Sequence, residues 1–387
     1  MKNSPADEKK RQKKYGEPRT KKRKVKKEER RKIKALEITA WALVGFAAFA
    51  LILAAVFWGM QISGRNKLYG ESDSRQIVMA LSELADEEAE LENQEGNWQE
   101  GDVRYQGIHY RYNEDMLTFL FLGIDKMTEV VPAKNGIDGG QSDAIFLLAM
   151  NPHNKEIYVI GVPRDTMAEI EVYDKDGTYQ GIGVGQITLQ HGYGDGAAIS
   201  CERSREAVSK LFYHLPIHGY CSINMGAIPI INDAIGGVEL EALEDMDYKN
   251  FHVKKGETVK LEGMAAYYYL HNRDVTQFGS AGSRLERQKQ YLTAYADAAI
   301  SAAKKDITLP VTLYNTLSRY MVTDISIDEV SYLASQILGY RFDGSNITTI
   351  AGETVRGEKF EEFHADEKAL YELILKVFYE EVEEMEK

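Results

Sequence analysis

The sequence has few cysteines and lacks the short motifs of several enzyme classes. Cys201 and Cys221 are the two cysteines among 387 residues, and neither belongs to a C-x-x-C or Cys/His cluster, which argues against zinc. The sequence is compatible with a disulfide between the two cysteines and with two free thiols. No G-x-x-x-x-G-K-[ST], G-x-S-x-G or H-E-x-x-H motif is present. This argues against P-loop nucleotide hydrolysis, α/β-hydrolase chemistry and zinc proteolysis.

Charge is absent from one long segment and unbalanced around it. Residues 38–64 are 27 residues without a charged side chain, and a helix needs about 20 apolar residues to cross a bilayer. Residues 1–34 hold 17 Lys/Arg and 5 Asp/Glu, a net charge of +12. Since the whole chain has a net charge of -13, the remainder has a net charge of -25. The positive-inside rule predicts a basic cytoplasmic tail over 1–37, one transmembrane helix over 38–62 and an extracytoplasmic main domain.

Two alternatives compete with a single-pass cell-membrane anchor. A cleaved signal peptide is disfavoured because the apolar run is longer than a typical h-region and no A-x-A-like site follows it. The basic tail is also compatible with nucleic-acid binding. A topology determinant that touches anionic lipid explains the tail without a further assumption. We therefore predict a membrane partner and no nucleic acid.

Beyond the predicted span, the pattern indicates an α/β domain. Residues 63–106 are acidic with some helical spacing and predict a juxtamembrane stalk or linker. Short apolar runs at 116–124, 144–150 and 156–162 predict strands that are buried on both faces. Helical patterns, including 204–215 and 223–235, lie between or after them, so we predict helices on both faces of the sheet.

Polar residues stand at the ends of these predicted strands. Asp125 follows the first, Asp143 opens the second, and Arg164 and Asp165 follow the third. Ligands of open α/β sheets bind at strand ends, and carboxylates there suit Mg²⁺, while an arginine fork suits phosphate. The alternative is that these are turn carboxylates and that Arg164 and Asp165 form a local ion pair.

A second cationic patch occurs at 271–290, HNRDVTQFGSAGSRLERQKQ. Arg273 precedes a Gly/Ser loop that opens a helix, and Arg284, Arg287 and Gln288 lie on the first turns of that helix. Residues three apart project from one side of a helix, and a helix N-terminus favours anions. The patch predicts a pyrophosphate-sized site. The alternative is a solvated, charged helix face.

Taken in order, the motifs resemble those of the LytR-CpsA-Psr family. They are FLFLGID, QSDAIFLLAMNP, VIGVPRDT, INDAIGGVEL, LEGMAAYYYLHNRD and SRLERQKQ. The resemblance implies a catalytic domain over 107–305, with 306–387 as the C-terminal part of the extracytoplasmic domain. It also implies a three-layer α/β/α sandwich with a central mixed sheet. Family members transfer a teichoic-acid-like or capsular glycopolymer from a polyprenyl-pyrophosphate carrier to peptidoglycan, forming a phosphodiester.

The resemblance also implies residue roles. Asp125 and Asp143 correspond to the family's Mg²⁺-associated aspartates. The catalytic set is Asp125, Arg164, Asp165 and Arg273, and the pyrophosphate-binding set is Arg164, Arg273, Arg284, Arg287 and Gln288. We expect a Mg²⁺-dependent phosphotransferase that uses a polyprenyl-pyrophosphate-linked glycopolymer as donor and peptidoglycan as acceptor.

The chain departs from the family pattern at three positions. Gln141 and His271 stand where the family usually has arginine, and Ala281 stands where an acidic residue is common. Lys126 or a protonated His271 is a candidate to replace one lost charge. Gln141 and His271 favour the alternative function, a non-catalytic cell-wall scaffold that binds polyprenyl-linked precursors or wall polymer.

Overall fold

The structure is a computed structural model that describes residues 54–70, 75–82, 98–99, 101–134, 137–274, 276–337 and 339–382. The chain divides into two compact units, Met1–Met60 and Gln61–Lys387. Within the described ranges no helix combines the length and the apolar character needed to cross a membrane. The tail predicted over 1–37, and residues 38–53 of the predicted span, lie outside the described residues.

Helices and strands alternate along the described residues. The helices are α1 (54–70), α2 (Arg75–Ser82), α3 (Leu189–Gly192), α4 (Ala198–Leu211), α5 (Ile228–Ala234), α6 (Met264–His271), α7 (Ser280–Lys305), α8 (Leu309–Leu317), α9 (Ile327–Ile337) and α10 (Glu367–Phe378). The strands are β1 (Val103–Tyr105), β2 (Ile108–Tyr112), β3 (Leu117–Ile124), β4 (Ser142–Asn151), β5 (Glu156–Gly161), β6 (Met167–Tyr173), β7 (Tyr179–Gln186), β8 (Gly219–Asn224), β9 (Val238–Glu241), β10 (Met246–Tyr248), β11 (Phe251–Val253), β12 (Thr258–Leu261), β13 (Met321–Thr323), β14 (Arg341–Thr349), β15 (Gly352–Arg356), β16 (Glu361–Ala365) and β17 (Tyr379–Glu381).

A six-stranded mixed sheet forms the centre, in the order β13-β8-β3-β4-β5-β14. β4 runs antiparallel to both β3 and β5, whereas β8 is parallel to β3 and β14 is parallel to β5. The three predicted apolar strands are confirmed as β3, β4 and β5. They lie in the middle of the sheet because their side chains are apolar on both faces, as buried strands require.

Helices pack against both faces of this sheet. Side chains alternate between the faces along each strand. On one face, Leu120 and Ile160 belong to the same buried cluster as Val208 of α4. On the other, Phe146 and Val159 pack with Leu285 of α7. The prediction of an α/β fold with a central mixed sheet is therefore confirmed.

Two predicted helices have different bounds in the structure. The helix predicted over 223–235 is α5, preceded by strand β8, because residues 219–224 pair in parallel with β3 at the centre of the sheet. The helix predicted over 204–215 is α4, which ends at Leu211. Tyr213 and His214 have positive φ values of 54° and 64°, which no α-helix accommodates. Both cysteines are free and buried.

Segments on either side of the predicted 107–305 domain contribute to its core. Leu68 packs in a buried cluster with Phe119 of β3. Leu81 of α2 belongs to the cluster that contains Leu120. The segment 306–387 supplies β13 and β14, which are the two outermost strands of the central sheet. The folded unit therefore draws on residues from the predicted stalk and from the C-terminal segment.

Candidate functional site

Three strand ends meet at one edge of the central sheet. Because β4 is antiparallel to both neighbours, its first residues lie beside the last residues of β3 and β5. Asp125 follows β3, Asp143 is the second residue of β4, and Arg164 follows β5 after Pro163. Proline has no backbone N–H to continue the ladder, so the chain turns there. The strand order thus brings three predicted site residues together.

Two carboxylates and an imidazole converge at this edge. One ligand atom from each of Asp125, Asp143 and His271 lies within 4.8 Å of the others, and this is the one such His/Cys/Asp/Glu group among the described residues. Asp143 is buried, whereas the side chain of Asp125 is 52% exposed, and His271 Nε2 lies 3.2 Å from Asp125 Oδ1. Burial lowers the pKa of His271, so its ring is largely neutral at pH 7 and suited to ligating a cation.

Asp143 is held by two guanidinium groups. Arg284 Nη1 donates to Asp143 Oδ2 at 2.9 Å, and Arg284 Nη2 donates to the Asp143 carbonyl oxygen at 3.4 Å. Arg164 Nη1 donates to Asp143 Oδ1. Burial lowers the pKa of Arg284 to about 10, and it remains a cation at neutral pH. Asp143 therefore fixes two cations side by side.

Arg164 is also held by residues on its own edge of the sheet. Its Nη2 donates to Gln141 Oε1, and its Nε lies 3.4 Å from Asp165 Oδ1. Asp165 Oδ1 in turn accepts a hydrogen bond from Gln186 Nε2 at 3.0 Å. Burial lowers the pKa of Arg164, and the neighbouring arginines lower it further. A bound anion would relieve this repulsion between cations.

Arg273 approaches the site from the loop between α6 and α7. Its Nη1 donates to Ser280 Oγ at 3.2 Å. Ser280 is the first residue of α7, and Gly279 before it has φ +78°, which glycine adopts without strain. The positive charge of Arg273 lowers the pKa of both Arg164 and Arg284. Three predicted arginines are thus electrostatically coupled at the start of one helix.

The Arg287 side chain makes no hydrogen bond or ion pair with Asp143, although Arg287 lies three residues from Arg284. Its Nε donates to the carbonyl of Tyr269 at 2.8 Å, its Nη2 donates to the carbonyl of Asn272, and its Nη1 pairs with Glu244. The residue is 2% exposed, and burial lowers its pKa to about 10. Its donors are occupied by protein groups at the end of α6 and by Glu244 in the loop between β9 and β10.

Gln288 makes a similar connection between the two helices. Its Nε2 donates to the carbonyl of Leu270 at 3.4 Å, and the residue is buried. Together with Arg287 it ties the second turn of α7 to the last turn of α6. His271 is the last residue of α6 and Arg273 lies two residues beyond it, so this connection positions both side chains.

Some site residues were not found from the sequence. Gln186 of β7 bonds Asp165 and also donates to the carbonyl of Glu361 at 2.8 Å. Glu361 Oε1 accepts from the backbone N–H of Gly279 at 3.2 Å. Neither Gln186 nor Glu361 belongs to a recognisable sequence motif. They reach the site because the β6–β7 and β15–β16 hairpins dock beside it. Lys126, a candidate for a lost charge, donates to the carbonyl of Asp138 at 2.6 Å.

The loop that precedes β4 and Asp143 is packed against a buried histidine. His191 Nδ1 lies 3.0 Å from the carbonyl oxygen of Gly140. Burial lowers the pKa of His191 to about 4, so the neutral ring donates this bond. A Cβ added to Gly139 would lie 1.8 Å from the carbonyl oxygen of His191 and 2.7 Å from Ser200 Oγ. The backbone has no room for a side chain there.

Gly139→Ala is therefore expected to lower the free energy of unfolding by about 1–3 kcal/mol, the usual range for overpacking. Chemical denaturation measures it. Gly282→Ala is the matched control, because its added methyl meets no atom within 4 Å inside α7, where alanine is the better helix former. Equal stability of the two variants would contradict the close packing of the loop.

The comparisons with known proteins agree with this architecture. The sequence matches the LytR_cpsA_psr family over residues 76–376. A relative from Oceanobacillus iheyensis, named polyisoprenyl-teichoic acid–peptidoglycan teichoic acid transferase TagU, is 28% identical over 262 residues, 66% of this chain and 73% of the relative.

Two solved structures share the fold. TagV of B. subtilis is 24% identical, with a TM-score of 0.52 over 67% of this chain and 94% of that one. Protein gbs0355 of Streptococcus agalactiae is 18% identical, with a TM-score of 0.54 over 70% of this chain and 90% of that one. The family match spans most of the chain, from α2 to α10, and includes every residue of the site described above. The chain belongs to the LytR_cpsA_psr family.

Proposed function

We propose that this protein is a membrane-anchored, extracytoplasmic glycopolymer transferase. The donor is a polyprenyl-pyrophosphate-linked polymer, teichoic-acid-like or capsular, and the acceptor is peptidoglycan. The observation that carries the proposal is the Asp143 carboxylate, which holds Arg164 and Arg284 together beside Asp125 and His271. The printed name of the Oceanobacillus relative describes this type of transfer.

The proposed reaction is a displacement at the phosphorus that bears the polymer. An acceptor hydroxyl oxygen forms the new P–O bond, and the bond from that phosphorus to the bridging oxygen breaks, so polyprenyl phosphate leaves. Asp125, the more exposed carboxylate, is our candidate to take the hydroxyl proton. Arg164, Arg273 and Arg284 neutralise charge that develops on the leaving phosphate, which is the main work of phosphoryl-transfer sites.

The proposed cofactor is Mg²⁺, held by Asp125 and Asp143. The donor set fits a divalent cation, since two carboxylates are hard oxygen ligands and one nitrogen of the neutral His271 ring lies within 4.8 Å of an oxygen of each. When bound, such a cation would neutralise charge on the pyrophosphate.

Cation binding is expected to depend on Asp125. We expect full-length protein to bind Mn²⁺, a spectroscopic substitute for Mg²⁺, and Asp125→Asn to weaken this binding at least tenfold, measured by electron paramagnetic resonance. Asp176→Asn, an exposed carboxylate in the β6–β7 turn, is the control. Unchanged Mn²⁺ binding in Asp125→Asn would overturn the metal assignment independently of turnover.

The anchor and the finer architecture also belong to this proposal. The charge-free run over 38–64 and the basic tail before it support a single-pass helix over 38–62, with the N-terminus in the cytoplasm. The packing of α4 and α7 on opposite faces of the sheet supports the three-layer α/β/α arrangement. A surface-anchored domain would meet its lipid-linked donor at the membrane.

The reaction itself tests the proposed function. Full-length protein in nanodiscs is supplied with a polyprenyl-pyrophosphate-linked oligosaccharide and peptidoglycan oligomers. We expect Mg²⁺-dependent release of polyprenyl phosphate and a phosphodiester-linked product, detected by mass spectrometry. Bound donor without release would overturn the transferase and favour the wall scaffold, which the uncharged Gln141 and His271 side chains otherwise support.

A further inference from the structure

A cleft, here called the hairpin cleft, opens beside the three arginines Arg164, Arg273 and Arg284, which together form the clamp, and it is lined by the tip of a C-terminal hairpin. The hairpin pairs β15 with β16, and residues 357–360 form its turn. The cleft has a volume of about 390 Å³ and is lined by the cations Arg164, Arg273, Arg356 and Lys359, by the three carboxylates of Asp165, Glu358 and Glu361, and by Phe360, among others. Arg164 and Arg273 belong to the clamp, so the cleft is an extension of the site described above.

The hairpin is docked at several points. The backbone N–H of Phe363 donates to the carbonyl of Asp165 at 2.9 Å. Gln186 Nε2 bridges the Asp165 carboxylate and the carbonyl of Glu361. Glu361 Oε1 accepts from the N–H of Gly279, next to α7. Strand β16 is thus bonded to the turn after β5, to β7 and to the start of α7, and since Glu361 directly follows the 357–360 turn, these bonds fix the position of the tip.

The two cations at the hairpin tip, Arg356 and Lys359, differ from the clamp residues Arg164 and Arg284 in having no ion-pair partner among the described residues. Arg164 and Arg284 are ion-paired with aspartates, and Arg273 donates to Ser280. Arg356 and Lys359 are both exposed. The Arg356 guanidinium lies 5.6 Å from the centre of the Phe278 ring, which orients it. The two charges therefore remain available for a ligand.

Aromatic surface accompanies these cations. Phe278 is 48% exposed and Phe360 is 69% exposed. Large exposed apolar side chains beside charged groups are typical of binding surfaces. A ligand that alternates anionic groups with carbon-rich units would satisfy both the cations and the rings.

We infer that the hairpin cleft binds a phosphate of the transferred polymer, beyond the pyrophosphate that the clamp holds. This rests on the proposed function and names its substrate class: a polymer with phosphates in its repeat units, as opposed to a neutral polysaccharide. Arg356 and Lys359 bind that phosphate, and Phe278 and Phe360 contact the carbon skeleton beside it. Arginine suits this role since its fork matches two phosphate oxygens.

The test uses full-length protein with a soluble glycerol-phosphate hexamer as probe, and a neutral dextran hexamer for comparison. The double variant R356Q/K359Q is expected to weaken binding of the glycerol-phosphate hexamer about tenfold in calorimetry. The double variant K304Q/K305Q removes the same charge at the far end of the 26-residue helix α7, about 37 Å from its first residue, and is expected to bind normally.

The outcomes separate this inference from the transferase proposal. Loss of hexamer binding in R356Q/K359Q alone supports the cleft even if no turnover is found. Equal binding by R356Q/K359Q and the unmodified protein overturns it, even if the protein is an active transferase. Equal weakening of hexamer binding in both double variants would also overturn the inference, because it would indicate attraction by overall charge. Binding of the dextran hexamer as tightly as the glycerol-phosphate hexamer would overturn it as well.

Discussion

Replacing Arg164 by alanine is expected to lower the rate of polymer transfer roughly 10³-fold, the usual cost of removing one charge-stabilising group from such a site. Arg164 contacts Asp143, Gln141 and Asp165. It lines the hairpin cleft and also a neighbouring cleft that contains Asp143 and Arg284. Its loss would affect the leaving phosphate and the alignment of the polymer together.

Two further variants separate charge from geometry. Arg164→Lys keeps the charge but cannot contact Asp143 and Gln141 together, so it is expected to recover only part of the activity. Arg205→Ala removes a partly exposed arginine that pairs with Glu202 and Asp324 on the surface, and it is expected to leave the rate near that of the unmodified protein. Release of polyprenyl phosphate under single-turnover conditions measures all three. Full activity in Arg164→Ala would contradict the clamp.

The central strands and the edge of the sheet were predictable for a physical reason. Continuous apolar runs identify strands that are buried on both faces, and a polar residue at either end of such a run must emerge at the edge. This is why Asp125, Asp143 and Arg164 were found from sequence. In the structure the chain turns between β4 and β5, which pair antiparallel, and this places the start of one beside the end of the other.

The contributions of the C-terminal segment were not predictable in this way. β14 pairs with β5 across about 180 residues of chain, and no local pattern identifies such a partner. Arg356 and Lys359 lie in a polar hairpin whose sequence resembles any solvated turn. Their relation to Arg164 depends on hydrogen bonds to Asp165 and Gly279, which only the folded chain reveals.

Helix periodicity also left one assignment undetermined. Residues three apart share a side of a helix but differ by about 60° in direction and by about 4.5 Å along the axis. That difference turns Arg284 toward Asp143 and Arg287 toward the end of α6. From the sequence alone the two arginines were equivalent, and the resemblance assigned both to pyrophosphate. The contacts of Arg287 imply a structural contribution that can be measured separately.

Replacing Arg287 by leucine is therefore expected to lower the free energy of unfolding by roughly 3 kcal/mol. The variant leaves the carbonyl groups of Tyr269 and Asn272 without their donors, and it leaves Glu244 without its partner. Leucine keeps much of the buried volume, so the loss reflects hydrogen bonds and charge more than a cavity. Chemical denaturation followed by circular dichroism measures it.

The control distinguishes this role from pyrophosphate binding. Glu286→Ala removes the neighbouring exposed side chain, which pairs with Lys289 on the surface, and such pairs contribute about 0–1 kcal/mol. A structural Arg287 predicts a much larger stability loss than in Glu286→Ala. It also predicts that binding of pyrophosphate to the folded variant at low temperature weakens less than in Arg164→Ala. If Arg287→Leu keeps its stability but loses pyrophosphate binding, then Arg287 must turn toward the ligand when pyrophosphate binds, and its bonds to Tyr269 and Asn272 must be exchangeable.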